Sequence, residues 1–282
     1  ADKGILEGRV IQMLKESKLA LNGGDRAIPE GFIKTWPPID DIDRQYVMAS
    51  LEGNNHAFGP NCVEFEKEFA AWNGNEYAIT TNSGTAALHM GIVGCGCGAG
   101  DEVIVPAYSW SSSATCILHH NCIPVFVDID YNTMNIDTKK IEQAITKKTR
   151  AMIVVHLHGL AVNMDEVNKI AKKYNLKVIE DACQAHGAEF RGKKVGLWGD
   201  CAAFSFNQNK NLCSGEGGMF VTNNKSYAYR AALARNHGEV AADDWAGRGK
   251  FFREPIVGSN YRLTEIQAAI LSAQLKKLQR LN

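Results

Sequence analysis

A chain of 282 residues with 45% hydrophobic content can bury a sizeable core, in one large domain or two modest ones. Its 31 basic residues balance 31 acidic ones, so no long-range field draws it to a nucleic acid or an anionic membrane surface. No apolar stretch approaches the ~20 residues that a membrane helix needs.

The polar start ADKGILEGRVIQMLKESK lacks the apolar centre of a signal peptide. The first sixty residues, with Pro29, Pro37, Pro38 and the acidic IDDIDRQYVMASLEGN, read as an arm plus one helix leading into a domain. From about Tyr77 onward, short runs rich in Val, Ile and Phe alternate with segments of helical period. The predicted strands are YAITTN, EVIVPAY, IPVFVDID, AMIVVHLHG, LKVIEDA, CAAFSFN and GGMFVTN. The predicted helices between them include TAALHMGIVG, IDTKKIEQAI, MDEVNKIAKKYN and SYAYRAALARN. This rhythm argues for an α/β fold of parallel strands joined by crossover helices, with ligand sites at the carboxyl ends of the strands. Residues 239–258 are polar and read as a long loop, and Leu263 to Leu281 has strong helical period.

Three segments carry chemistry. In TNSGTAAL a strand ends at Ser83-Gly84-Thr85 and a helix begins at once; such a terminus offers free backbone N–H groups to an anion, and Gly84 allows close approach. The same residues also suit an ordinary strand-to-helix turn capped by Ser or Thr. In VIEDACQAHG an apolar strand delivers Glu180 and Asp181 near its end, so one acid faces inward and needs a cation. Either a pyridinium nitrogen or a structural basic side chain meets that need. In CAAFSFNQNKNLCSGEGG a strand runs into a polar turn holding one lysine, Lys210, and closes on glycines. Partial desolvation there favours the free amine required for a Schiff base; the alternative is a loop lysine in water. Ser205, five residues earlier, is placed to reach the same ligand.

Other motifs have plainer readings. GCGCGAG at 94–100 does not fit a dinucleotide glycine pattern and precedes a strand, which makes it a helix-to-strand turn. The eight cysteines form no CxxC pair; Cys95 and Cys97 read as structural thiols, and Cys116, Cys122 and Cys201 sit in apolar runs, as suits a reducing cytoplasm. His156 and His158 are expected on the same side of a strand, packed or hydrogen-bonded behind a site. His186 is expected to be a satisfied turn histidine, and Asp128 and Asp130 to end a strand and open a turn.

Taken together, FGPNCVEFEKEFAAW, NSGTAALH, IEDACQAHGA, FSFNQNKNLCSGEGG, RNHG and GSNYRLTEIQAAIL resemble the sugar aminotransferases grouped with DegT, DnrJ, EryC1 and StrS, of the aspartate-aminotransferase fold type I. The resemblance covers roughly residues 35 to 282. It implies a three-layer fold whose mostly parallel central sheet has about seven strands flanked by helices, with pyridoxal 5′-phosphate as cofactor. By this likeness Gly84 and Thr85 bind the phosphate through their backbone, Ser205 joins them, and Trp110 in PAYSWSSSAT stacks on the ring. Asp181 pairs with the ring nitrogen, Gln184 holds the ring hydroxyl, and Lys210 forms the Schiff base and acts as the catalytic base. Asn260, read as preceding a helix, reaches the phosphate of the neighbouring subunit, which implies a homodimer with shared sites.

The implied domains are an arm and first helix at 1–45, a cofactor-binding domain at 46–260, and at 261–282 the start of a helix that in the family leads to a smaller C-terminal domain. The implied reaction moves an amino group from glutamate or glutamine to a nucleotide-linked keto-sugar or a keto-cyclitol, with no nucleic acid or membrane involved. Leu160 and Ala161 stand after the HLHG turn where many sugar-nucleotide members carry Gln and Pro, so the acceptor class stays open. The rivals are a dehydratase or an aminohydroxybenzoate-type synthase of the same fold, and a non-catalytic binding or regulatory protein. Lys210 opposes the dehydratase, whose deoxysugar examples carry histidine in its place.

Overall fold

The computed structural model describes residues 18–239 and 256–282. The chain's polar start at 1–17, and residues 240–255 of the loop expected at 239–258, lie outside the described residues. Two compact units divide the chain, Ala1–Pro38 and Ile39–Asn282. In the first, the described part contains one 3-10 turn, Ala20–Asn22.

The second unit begins with helix α1, Asp41–Glu52, which the expected boundary after residue 45 would cut. Its start is fixed by a reciprocal cap: Asp40 accepts from Ile42 N at 3.1 Å while Asp43 accepts from Asp40 N at 2.7 Å. Helix α2, Pro60–Asn73, places proline at its first position, where no N–H is needed. The segments expected as 46–260 and 261–282 fall in this one unit.

All seven predicted strands form. They are β1 Tyr77–Thr81, β2 Glu102–Pro106, β3 Ile123–Val127, β4 Thr149–Val155, β5 Lys177–Asp181, β8 Cys201–Ser205 and β9 Gly218–Thr222, with a small separate hairpin of β6 Glu189–Phe190 and β7 Lys193–Lys194. The sheet order is β1-β9-β8-β5-β4-β2-β3. Strand β9 pairs antiparallel with both neighbours and every other pairing is parallel or shares that direction. The carboxyl ends of β1, β2, β4, β5 and β8 therefore open on one edge.

Period-two burial explains the layering. Ile79, Val105, Ile153, Ile179 and Ala203 pack on one face with helices α3, Gly84–Cys95, α4, Ser112–Leu118, and α7, Lys225–Arg235. On the other face, Ala202, Phe204 and Val221 meet Phe65 and Phe69 of α2 and Leu271 of α8, Glu265–Leu275. Further along that face, Met152, Val154 and Val178 meet Val167 and Ile170 of α6, Met164–Tyr174, and Ile141 of the short α5, Thr138–Ile141. Phe69 sits 5.1 Å from Phe204 and 5.8 Å from Phe206 in edge contacts; full burial of each ring contributes about 2–3 kcal/mol. The sheet is thus covered on both sides, giving the expected three layers.

The predicted helix IDTKKIEQAI shortens to α5 and a 3-10 turn, Glu142–Ala144. Helix α6 matches its prediction and ends on Asn175 at φ 55°. Lys172 and Lys173 lie exposed near its end, where cations complement the dipole. At the far end of the chain the period of 263–281 resolves into α8 and a last turn, α9, Leu278–Leu281. Glu265, buried at the start of α8, accepts from Asn61 N at 2.8 Å and Cys62 N at 3.0 Å, so α8 caps α2 and is locked to it. Among the described residues no helix is long and apolar enough to cross a membrane.

Candidate active site

At the open edge of the sheet lies a cavity of about 450 Å³. Gly84, Thr85, Trp110, Asp181, Gln184, Ser205 and Lys210 all line it, delivered by the ends of β1, β2, β5 and β8. Lys210 is the one lysine on its wall among the described residues.

The N-terminus of α3 forms one end. Ser83 caps the helix by accepting from Ala86 N at 3.1 Å, and the N–H groups of Gly84 and Thr85 have no protein partner among the described residues. A side chain at Gly84 would meet Ser205 Cβ at 2.7 Å and Cys183 Sγ at 3.0 Å. The cradle therefore depends on glycine for helix-to-strand contact. Gly84→Ala is expected to lower stability by about 1–3 kcal/mol through overpacking and to weaken anion binding beyond that, measured by denaturant unfolding and by phosphate-ester titration. Thr85 Oγ1 lies 2.7 Å from Ser112 Oγ, tying α3 to α4 beside the cavity.

Alternation along β5 separates the two acids. Glu180 is fully buried behind the sheet and accepts from Gly196 N, Trp198 N and Gly199 N at 2.8, 2.8 and 2.6 Å. His156 Nε2 meets it at 2.9 Å, and His156 Nδ1 accepts from Val162 N at 3.1 Å, so Nε2 carries the proton. Burial alone would raise the Glu180 pKa; the His156 bond and the backbone donors override it and hold the group below its ordinary value. Glu180 thus takes the structural pairing, with a histidine rather than Lys or Arg. Asp181, 4% exposed, turns to the cavity. Its Oδ2 accepts from Ser113 Oγ at 2.7 Å and its Oδ1 from Cys183 N at 3.2 Å, both neutral donors, and Ser109 Oγ supports Ser113 at 2.8 Å.

Lys210 sits half-buried on the loop between β8 and β9. That loop is laced to itself: Phe206 N donates to Gly217 O at 2.8 Å, Gln208 N to Gly215 O at 2.9 Å, and Lys210 N to Asn207 O at 2.9 Å. Gln184 Oε1 accepts from His158 N at 2.9 Å, and among the described residues its amide NH₂ has no partner. Trp110 is 74% exposed on the cavity rim.

Several expectations need correction. Asn260, expected at the phosphate of a neighbouring subunit, does not line its own chain's cavity, and only the helix read just after it needs correcting. Asn260 is exposed, bridges to Asn236, and lies ahead of an extended stretch, since α8 starts only at Glu265 with Thr264 as its cap; the anion-binding terminus read beside it is not there. His156 and His158 do not share a strand, because β4 stops at Val155 and His158 turns to φ 52°. His186 is buried rather than satisfied: its Nε2 has no hydrogen-bond partner among the described residues. Burial first, then the charge of Lys210, pushes its pKa to about 3, so its ring is neutral at pH 7.

The turn at 94–100 forms as expected, with Gly96 at φ 75° and Gly100 at φ 85°. Asp130 accepts from Asn132 N and Thr133 N in the expected turn. Cys95 Sγ lies 3.8 Å from Cys201 Sγ, and burial pushes Cys97 up to about 12. Sequence reasoning missed Ser112, Ser113, Cys183, Asn207 and Glu216 on or behind the wall. The hydroxyl run SWSSS just past a strand end was the available signal for the first two.

The residues present fit pyridoxal phosphate. A helix terminus with free N–H groups suits its phosphate, a buried carboxylate its ring nitrogen, and an amine its aldehyde. The family model for the DegT/DnrJ/EryC1/StrS aminotransferases matches residues 37–282. The chain belongs to that family. A GDP-perosamine synthase of Caulobacter vibrioides is 44% identical over 243 residues, which are 86% of this chain and 64% of the relative. An L-glutamine:2-deoxy-scyllo-inosose aminotransferase of Streptomyces lividus is 41% identical over 76% of this chain and 51% of its own length. Among solved structures, an aminotransferase from Psychrobacter cryohalolentis superposes with a TM-score of 0.81 at 36% identity, covering 86% of this chain and 63% of that one. This member of the family thus spans less than two thirds of the relatives it matches.

Proposed function

We propose that the chain carries the active site of a pyridoxal-phosphate-dependent aminotransferase that moves an amino group from glutamate or glutamine to a keto-sugar or keto-cyclitol. One observation supports this above others: an amine, a buried carboxylate and an amide-lined cradle, from three separate strand ends, line a single cavity. The names of the relatives support both acceptor classes, and one of them names glutamine as donor.

In this reading Gly84, Thr85 and Ser205 hold the cofactor's phosphate, Asp181 faces the ring nitrogen, and Gln184 donates its NH₂ to the ring hydroxyl. Trp110 covers one face of the ring. Lys210 would hold the cofactor's aldehyde carbon through its amine. When bound, the cofactor supplies an electron sink for the pair left at the donor's α-carbon. Once the donor's amine had displaced it from that carbon, Lys210 Nζ would be free to take the α-proton and return it at C4′, a general-base role for which the amine must be neutral. Asp181 keeps the ring nitrogen protonated by its charge. Asn260, exposed and off its own cavity, is assigned to the phosphate of a second copy in a homodimer. Eight free thiols fit a reducing compartment such as the cytoplasm.

The test is the absorption spectrum of the purified protein with pyridoxal phosphate, before and after glutamate or glutamine. A visible band that converts on donor addition, followed by amine formation from a panel of keto-sugar nucleotides and keto-cyclitols, is the expected result. Binding without conversion by any donor would instead favour the non-catalytic reading.

A further inference from the structure

Behind the cavity, a chain of hydrogen bonds joins three segments that the site uses. His89 lies on α3, five residues after the cradle glycine. Its Nδ1 is 3.0 Å from the Tyr261 hydroxyl and its Nε2 is 3.2 Å from His120 Nδ1. His120 follows α4, which carries Ser112 and Ser113, and Tyr261 is the neighbour of Asn260 in sequence.

Neutral imidazoles satisfy this chain without charge: in each histidine one ring nitrogen donates and the other accepts, and the Tyr261 hydroxyl takes either role toward His89 Nδ1. Neutrality is favoured: burial first, then His120 and His119, pushes the His89 pKa down to about 4.

The backbone holds the Asn260–Tyr261 segment on its other side. Asn82 N donates to Tyr261 O at 2.8 Å, Asn82 Nδ2 to Asn260 O at 3.3 Å, and Tyr261 N to Arg235 O at 2.9 Å. The hydroxyl of Tyr261 thus links this segment to α3, and His89 links α3 to the far end of α4. At the near end, Thr85 and Ser112 make the matching tie.

We propose that Tyr261, His89 and His120 are positioning residues for the cofactor phosphate, a strut that sets the Gly84–Thr85 cradle against α4 and against the segment bearing Asn260. This rests on the phosphate roles assigned above. None of the three lines the cavity, so they act through the residues they hold.

The experiment compares pyridoxal phosphate with pyridoxal, which lacks the phosphate, in titrations of the cofactor-free protein. Tyr261→Phe and His89→Leu are expected to weaken pyridoxal phosphate about five- to tenfold, the worth of one lost hydrogen bond in a cradle, while pyridoxal affinity stays unchanged. His89→Gln, which keeps a donor and an acceptor, should recover part of the loss. Equal losses for both ligands, or none for either, would overturn the strut. If the unaltered protein takes up neither ligand, the cofactor reading falls; if it binds both and the variants match it, the strut alone falls.

Discussion

Lys210→Ala is expected to abolish turnover and covalent attachment of the cofactor. The expected loss of rate is roughly 10⁴-fold or more, because nucleophile and general base are removed together. No second lysine lines the cavity among the described residues, and the neighbouring Asn207 and Asn209 offer amides that neither condense with an aldehyde nor carry a proton. Borohydride reduction followed by peptide mass analysis should label the peptide that contains Lys210 in the unaltered protein and leave the variant unlabelled. Transamination at a near-normal rate by the variant would end the assignment.

Asp181→Asn keeps the shape of the site and removes its charge. At ~4 Å and an effective dielectric near 20, the attraction of a carboxylate for a pyridinium is about 4 kcal/mol, so the chemical step should slow by about 10³-fold. The fold should tolerate the change, since the Asp181 partners are the neutral Ser113 hydroxyl and Cys183 N–H. Single-turnover rates with glutamate, measured beside a thermal melt, separate the two effects. A loss of less than tenfold with an unchanged melt would remove Asp181 from its assigned place.

Much of this architecture could be read from residue order. Each of the seven large strands is a short apolar run bounded by turn residues, and such runs announce themselves. Direction does not: GGMFVTN looks like its neighbours, yet β9 runs against them, because antiparallel pairing depends on the short return through 206–217 rather than on composition. Helix α4 escaped for a different reason. Its seven residues, SSATCIL, span barely two turns and carry no side-chain cap, so they give little helical signal. The two acids of β5 were ambiguous in sequence, since only the fold shows which face holds His156 and three backbone donors. The helix start after Asn260 was read too early by assuming that helical period begins with a helix; Thr264 and Gln267 form the cap that sets the real start.

The return from β8 through 206–217 into β9 gives the Lys210 amine an unusual mounting. A side chain on a crossover helix is carried by an element that can tilt, whereas this one hangs from a bridge with both feet on adjacent strands, Ser205 facing Gly218. Aim is therefore coupled to sheet alignment: a slip of one residue between those strands displaces a foot by about 3.4 Å, as far as the span of a hydrogen bond. A copy of the protein that refolded with such a slip would keep its layers and lose its chemistry.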